Sequence, residues 1–357
     1  MPSEKGPSER ILIVRLSHLG DVVCALPVFH ALRESRPGAE IAWVVQPEFA
    51  GLLEGMPGLA RIIPFGRRKG WRAWRRLRAE LGDFRPDLVV DAQGNLKSAA
   101  AVWCAGAPRR AGLNRADWRE RLGALVLNDP APPVPSRARH AIDRMLALAR
   151  HVAPEATAPP RTDPALSEAE RAAGAARLDE RLPLAARGDW ILHLAAPADV
   201  RSWPGVRWGE LAEHLLEAGR RVLLLSGQEE SELGRALERE LGARDGLAHW
   251  IGQDGLRELA AVFDAAARRG LVLVCCDSGP MHLACACGLD PIVLEGPQEA
   301  RCTGPWTTAG ARAERVVRAA DGPSCAPCRS RRCTHADGPV CMSRITAPEV
   351  ARIGGAT

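Results

Sequence analysis

At 357 residues, 46% apolar and 25% charged, the chain has a globular composition and is long enough for about two domains of ordinary size. A formal charge of +5 permits an anionic partner without requiring nucleic acid, and the lack of tyrosine excludes any mechanism built on a tyrosine acid or base. No run approaches the ~20 apolar residues of a membrane span, the leader MPSEKGPSER lacks the apolar core of a secretory signal, and eleven cysteines, some inside apolar runs, fit a reducing compartment; a cytoplasmic protein is expected.

After the polar leader, Ile11 to Leu16 (ILIVRL) predicts a buried strand, and Ser17-His18-Leu19-Gly20-Asp21 a turn. Val22 to Arg33 then shows helical spacing despite Pro27. Ile41 to Val45 and Arg61 to Phe65 read as strands. RRKGWRAWRRLR, Arg67 to Arg78, is a basic helix with Trp71 and Trp74 three apart on one face. It suits an anionic membrane surface with indoles at headgroup level, or equally a solvated basic helix whose tryptophans face the core. Leu88 to Asp91 is another buried strand, which Ala92-Gln93-Gly94-Asn95 turns into a helix from Leu96 to Cys104. DPAPPVP, residues 129–135, is expected to hold no regular structure. A helix resumes from His140 to His151, and Ala153 to Pro164 reads as the approach to an interdomain linker.

A second series follows, with strands at Trp190 to Leu194, Arg221 to Leu225, near Ile251, Leu271 to Val274 and Pro291 to Leu294. Between them lie helices at Arg207 to Ala218, Glu229 to Leu241, Leu256 to Ala267 and Met281 to Cys287. The alternation predicts two parallel α/β sheets flanking a cleft, with domains at residues 1–165 and 166–320 and a Cys-rich tail at 321–357. LVLVCCDSGPMHLACACG, Leu271 to Gly288, carries the clearest chemistry. Its apolar run suits a strand buried on both faces, and the Asp277-Ser278-Gly279-Pro280 turn opens a helix whose free N–H groups and dipole can hold a phosphate, with His282 in the first turn. An ordinary capped strand-to-helix connection explains the same residues.

Several enzyme classes drop out. There is no G-x-G-x-x-G after a strand, no P-loop, no G-x-S-x-G and no Asp-x-Asp pair, which disfavours nicotinamide enzymes, P-loop NTPases, common α/β-hydrolases and metal-clamped sugar-nucleotide enzymes. What remains is a two-domain α/β protein holding phosphates with helix ends and basic side chains. In the tail, Cys325-x-x-Cys328, Cys333 and Cys341 could close a structural Zn or Fe site or stand as free structural thiols.

Five runs, RLSHLGDVVCALPVFHALRE (Arg15 to Glu34), VVDAQGNLKSA (Val89 to Ala99), RHAIDR (Arg139 to Arg144), RSWPGVRWGELAEHL (Arg201 to Leu215) and CDSGPMHLA (Cys276 to Ala284), together resemble glycosyltransferase family nine, the ADP-heptose:lipopolysaccharide heptosyltransferases. Within the family they look most like the branch that adds the first heptose to the Kdo of the inner core. The resemblance implies a GT-B architecture of two facing Rossmann-like domains, inversion at the anomeric centre, and no cofactor for catalysis. It makes Asp21 the general base, and a carboxylate is what an attacking hydroxyl needs. Ser17, His18 and Gly20 would approach the donor through backbone amides. Arg201 stands where relatives commonly have Lys and would neutralise the departing diphosphate. Ala195 and Ala196 replace a Ser or Thr that commonly faces the phosphates, Glu229 or Glu230 would take the ribose hydroxyls, and Asp277, Ser278, Gly279, Pro280 and His282 would clamp the donor. Lys97, His140, Arg67 and Arg68 fall on the acceptor side, where the Kdo carboxylate and lipid A phosphates call for cations. The implied partners are ADP-heptose, Kdo-lipid A and the anionic inner face of the inner membrane, with no nucleic acid.

Overall fold

The continuous Val, Ile and Leu runs become parallel strands whose side chains are almost wholly buried, as expected where helices cover both faces of a sheet. The computed structural model describes residues 8–66, 70–134, 140–195, 199–252, 255–307 and 310–356, and the chain divides into two compact units, Met1–Ala165 and Leu166–Thr357.

The first unit runs β1 (Arg10–Val14), α1 (Leu19–Ser35), β2 (Glu40–Val45), α2 (Pro47–Leu53), β3 (Leu59–Pro64), α3 (Gly70–Phe84), β4 (Leu88–Asp91), α4 (Leu96–Ala105), β5 (Arg109–Gly112), β6 (Asp129–Pro130) and α5 (Ala141–Val152). Its six strands are parallel in the order β3-β2-β1-β4-β5-β6. The order reverses between β1 and β4, where Val14 lies opposite Asp91, so the turns leaving these two strands emerge side by side at a switch point. The sequence pattern misses α2 and the charged strand β5. It also denies β6 any regular structure, and here the structure corrects it. Pro130 is tolerated because β6 is an edge strand, and its neighbour Ala131 donates to the Gly112 carbonyl at 2.8 Å.

The second unit runs α6 (Glu168–Arg181), β7 (Trp190–His193), α7 (Gly205–Glu217), β8 (Val222–Ser226), α8 (Ser231–Leu241), β9 (Leu247–Ile251), α9 (Leu256–Arg269), β10 (Val272–Cys276), α10 (Gly279–Ala286), β11 (Ile292–Leu294) and α11 (Ala300–Thr303). A short antiparallel hairpin of β12 (Trp306–Thr307) and β13 (Gly310–Ala311) follows, then β14 (Val316–Val317), α12 (Val340–Ser343) and α13 (Ala347–Ile353). The parallel sheet order is β14-β11-β10-β7-β8-β9, with its switch point between β7 and β10. Met342, Ile345 and Val350 from the end of the chain join Trp190, Trp203 and Trp208 in one core, and the Trp203 indole N–H donates to the Ile345 carbonyl at 3.0 Å. The last stretch of the chain therefore completes the core of this unit.

Helix α6 is another element the apolar pattern does not announce, since only Gly174 and Leu178 are buried along it. It starts on a capping box, Ser167 with Glu170, and packs on α9. Gly174 permits that approach, because a Cβ there would stand 2.4 Å from the Ala261 backbone. Alanine would gain about 1 kcal/mol of helix propensity, but backbone cannot yield as a flexible side chain can. Gly174→Ala is expected to destabilise the protein by roughly 2 kcal/mol in urea unfolding. An unchanged midpoint would show that the two helices separate freely.

Candidate functional site

In the first unit the chemistry gathers where β1 and β4 end. Asp21 sits in the first turn of α1, where the His18 N–H donates to its Oδ2 at 3.0 Å and closes a capping box. Arg15, the only charged residue of the ILIVRL run, is buried and reaches both turns: one arm donates to the Ala92 carbonyl, and the other lies 2.5 Å from Asp21 Oδ1. Burial by itself would raise the Asp21 carboxyl, but the Arg15 guanidinium, aided by the His18 hydrogen bonds, holds it well below the usual carboxylate range. The side chain keeps 41% of its surface open, so an ionised carboxylate is presented at the helix start. Ser17 is buried beneath it, and Gln93 ties the two turns together, accepting from the Leu16 N–H at 2.6 Å and donating to Ser17 Oγ at 3.5 Å.

Below this turn lies Asp91, fully buried at the end of β4. Its Oδ1 accepts from the N–H groups of Gln93 and Gly94 at 2.8 and 2.9 Å, a turn that requires the positive φ of Gly94. Burial nonetheless pushes its carboxyl up to about 6. A carboxyl whose folded value is raised stabilises the protein below its unfolded value and loses that contribution as pH rises through the folded value. From 3.8 to about 6 this amounts to roughly 3 kcal/mol. Asp91→Asn keeps the acceptor but not the titration. The variant is therefore expected to gain roughly 3 kcal/mol on wild type between pH 4 and pH 7, read from urea midpoints. A difference that does not change with pH would put Asp91 outside this account.

In the second unit, a cavity of about 400 Å³ opens at the C-terminal ends of β7, β8 and β10, a volume suited to a nucleotide-sized ligand. Ala195, Arg201, Glu230, Asp277, Ser278 and Pro280 line it, as do His193, Asp199, Ser226 and Trp250, which sequence reasoning did not single out. Arg201 is already engaged. Its Nε and one terminal nitrogen grip Asp199 at 2.9 and 2.5 Å, and the other donates to the Asp277 carbonyl at 2.9 Å. Asp277 is buried and accepts from Thr303 Oγ1 at 2.9 Å. Burial, and behind it the charge of Glu229, push Glu230 upward; Glu230 lines the cavity and Glu229 does not. His193 is held down to about 4 by burial and is neutral at physiological pH.

Three polar atoms on this wall, His193 Nδ1, Trp250 Nε1 and Ser278 Oγ, are buried with no hydrogen-bond partner among the described residues. Buried polar groups are rarely left so, and a polar ligand is one way such groups are satisfied. Ser278 is also the N-cap of α10 and makes no side-chain cap, which leaves the helix start free for an anion. Gly279 and His282 share that turn but do not line the cavity.

The remaining expected donor and acceptor residues sit at helix starts or lie outside the described residues. Lys97 is exposed near the start of α4. His140 is buried as the N-cap of α5, its Nδ1 accepting from the Ile142 N–H at 3.3 Å, so at least that nitrogen serves the helix. Arg67, Arg68 and Ala196 lie outside the described residues. Trp71 and Trp74 part company: Trp74 packs edge-on against Phe65, ring centroids 4.6 Å apart, while Trp71 is 66% exposed. Cys325, Cys328, Cys333 and Cys341 do line one small cavity, together with Val200 of the Arg201 loop. Yet among the described residues no three Cys, His, Asp or Glu side chains are grouped to hold an ion, so a Zn or Fe set, one of the two readings of these thiols, is not assembled there.

Two doubly wound parallel units, one of them with a nucleotide-sized cavity at its switch point, define a glycosyltransferase of the GT-B class. Residues 74–337 match the profile of glycosyltransferase family 9 (heptosyltransferase), and the chain belongs to that family. Lipopolysaccharide heptosyltransferase 1 of Pseudomonas aeruginosa is 32% identical over 96% of each chain, and that of Escherichia coli K12 is 28% identical over 81% of this chain and 88% of its own. Among solved structures, E. coli heptosyltransferase WaaC with ADP superposes with a TM-score of 0.70 at 26% identity, covering 96% of this chain and 98% of that one.

Proposed function

We propose that this enzyme transfers heptose from ADP-heptose to the Kdo of the lipopolysaccharide inner core, inverting the anomeric centre. The observation that carries the reading is the cavity of the second unit, where unsatisfied polar atoms, a helix start and Arg201 surround a nucleotide-sized space. The ADP reported with WaaC is a ligand of that chemistry, and the relatives named lipopolysaccharide heptosyltransferase 1 support a lipopolysaccharide acceptor. Asp21 takes the proton of the attacking Kdo hydroxyl, and Glu230 accepts from the ribose hydroxyls. Arg201 and the start of α10 receive the charge that grows on the departing diphosphate, so a divalent ion is not needed for that task.

The enzyme works as a cytoplasmic protein on a lipid-borne acceptor at the inner face of the inner membrane. Mixing the purified protein with ADP-heptose and Kdo-lipid A should release ADP and add one heptose by mass, at the same rate in EDTA as in magnesium. ADP release only with a core that already carries its first heptose would move the assignment to a later step of core assembly.

A further inference from the structure

Seven large apolar side chains stand more than half exposed among the described residues, and five of them, Trp71, Leu96, Trp103, Leu122 and Leu125, belong to one layer of the first unit. Helix α4 packs against both α3 and the 3-10 turn Arg121–Val126. Along α4, Leu96 and Trp103 fall seven apart on the stripe opposite buried Ser98, Ala101 and Val102. In the 3-10 turn, Leu122 and Leu125 eclipse one another at a spacing of three. Local packing therefore accounts for none of the five, whereas it does account for Trp74.

The charge around them has one sign in excess. Helices α3 and α4 and the Arg121–Val126 turn hold six Lys and Arg against two Asp and Glu, so the layer is net positive even after Arg76 pairs with Glu80. Arg72 and Arg75 flank the exposed Trp71 ring at 5.8 and 5.4 Å, and Arg78, Arg115 and Arg121 are exposed. A second copy of the chain would bring like charge against like charge across a symmetric contact, whereas an anionic bilayer meets both the cations and the apolar tips.

We infer that the α3–α4 layer, with the Arg121–Val126 turn, is a membrane-docking face that seats on an anionic lipid bilayer. Trp103, Leu122 and Leu125 enter the boundary between headgroups and acyl chains, and the arginines meet the lipid phosphates. The inference deepens the proposed function, resting on it for the lipid-borne acceptor that such docking would serve.

The test uses the full chain and vesicles that contain neither donor nor acceptor, so its failure and a failure of heptose transfer are separate results. Phosphatidylcholine vesicles with and without phosphatidylglycerol are sedimented with the protein. Binding is expected only with phosphatidylglycerol and is expected to weaken in salt. Leu122→Ser/Leu125→Ser, and separately Trp103→Ala, should each weaken it about tenfold while the urea-unfolding midpoint stays at the wild-type value and certifies the fold of the first unit. Binding unchanged in both variants, binding indifferent to phosphatidylglycerol, or a wild-type dimer that the double variant turns into a monomer would each overturn the inference.

Discussion

Replacing Asp21 with asparagine should lower turnover by about 100-fold or more and leave ADP affinity at the wild-type value. The variant keeps an oxygen that can accept the His18 N–H, so the start of α1 is preserved, and ADP is assigned to residues of the other unit. What it removes is the carboxylate proposed as the proton acceptor. The Arg15 pairing shapes the pH dependence as well. With the Asp21 carboxyl held far below its usual range, the base is fully ionised at every working pH, and no acid limb in the rate should arise from it. Arg15→Gln is therefore expected to raise the Asp21 carboxyl and bring an acid limb into the measurable range. Near-normal turnover in Asp21→Asn would remove this residue from the mechanism, and the acid-limb prediction would go with it.

The sequence exposes best what is local. Leu271 to Gly288 displays a buried strand, a polar turn and a helix start in consecutive residues, and each lies within a few positions of where the structure has it. Helix α6 hides because it binds α9 through Gly174 and through ion pairs such as Arg177 with Glu258 at 2.5 Å, and neither makes an apolar stripe. Its Ser167–Glu170 capping box was the available signal. Strand β5 hides because its first two positions are Arg109, exposed, and Arg110, half-buried and bonded to the Val126 and Ala107 carbonyls, so no apolar run marks it.

The electrostatic partners were harder still. Arg15 and Asp91 are 76 residues apart and meet only because β1 and β4 pair, so no window along the chain relates them. An arginine inside an otherwise apolar run is the one visible hint. Asp199, two residues before Arg201, was plain in the sequence, but its grip on that arginine depends on how the loop folds back.

That grip sets the second large effect. Arg201 has a carboxylate on two of its nitrogens and a carbonyl on the third, so a bound diphosphate has to share the guanidinium with Asp199. The share should grow as the glycosidic bond breaks, because the leaving phosphate gains charge while the Asp199 charge stays constant. Arg201→Ala is accordingly expected to lower turnover by about 100-fold, near 2.7 kcal/mol of barrier, with a smaller loss in ADP affinity. Arg201→Lys should recover part of the turnover, since a point charge restores attraction without the planar fork. Asp199→Asn should act in the opposite sense on binding, tightening ADP several-fold by removing a competing anion from the wall. Calorimetry with ADP beside steady-state rates separates the two effects. Equal losses of affinity and turnover in Arg201→Ala would mean that the arginine holds the ground state only, and the charge on the departing phosphate would then fall to the start of α10.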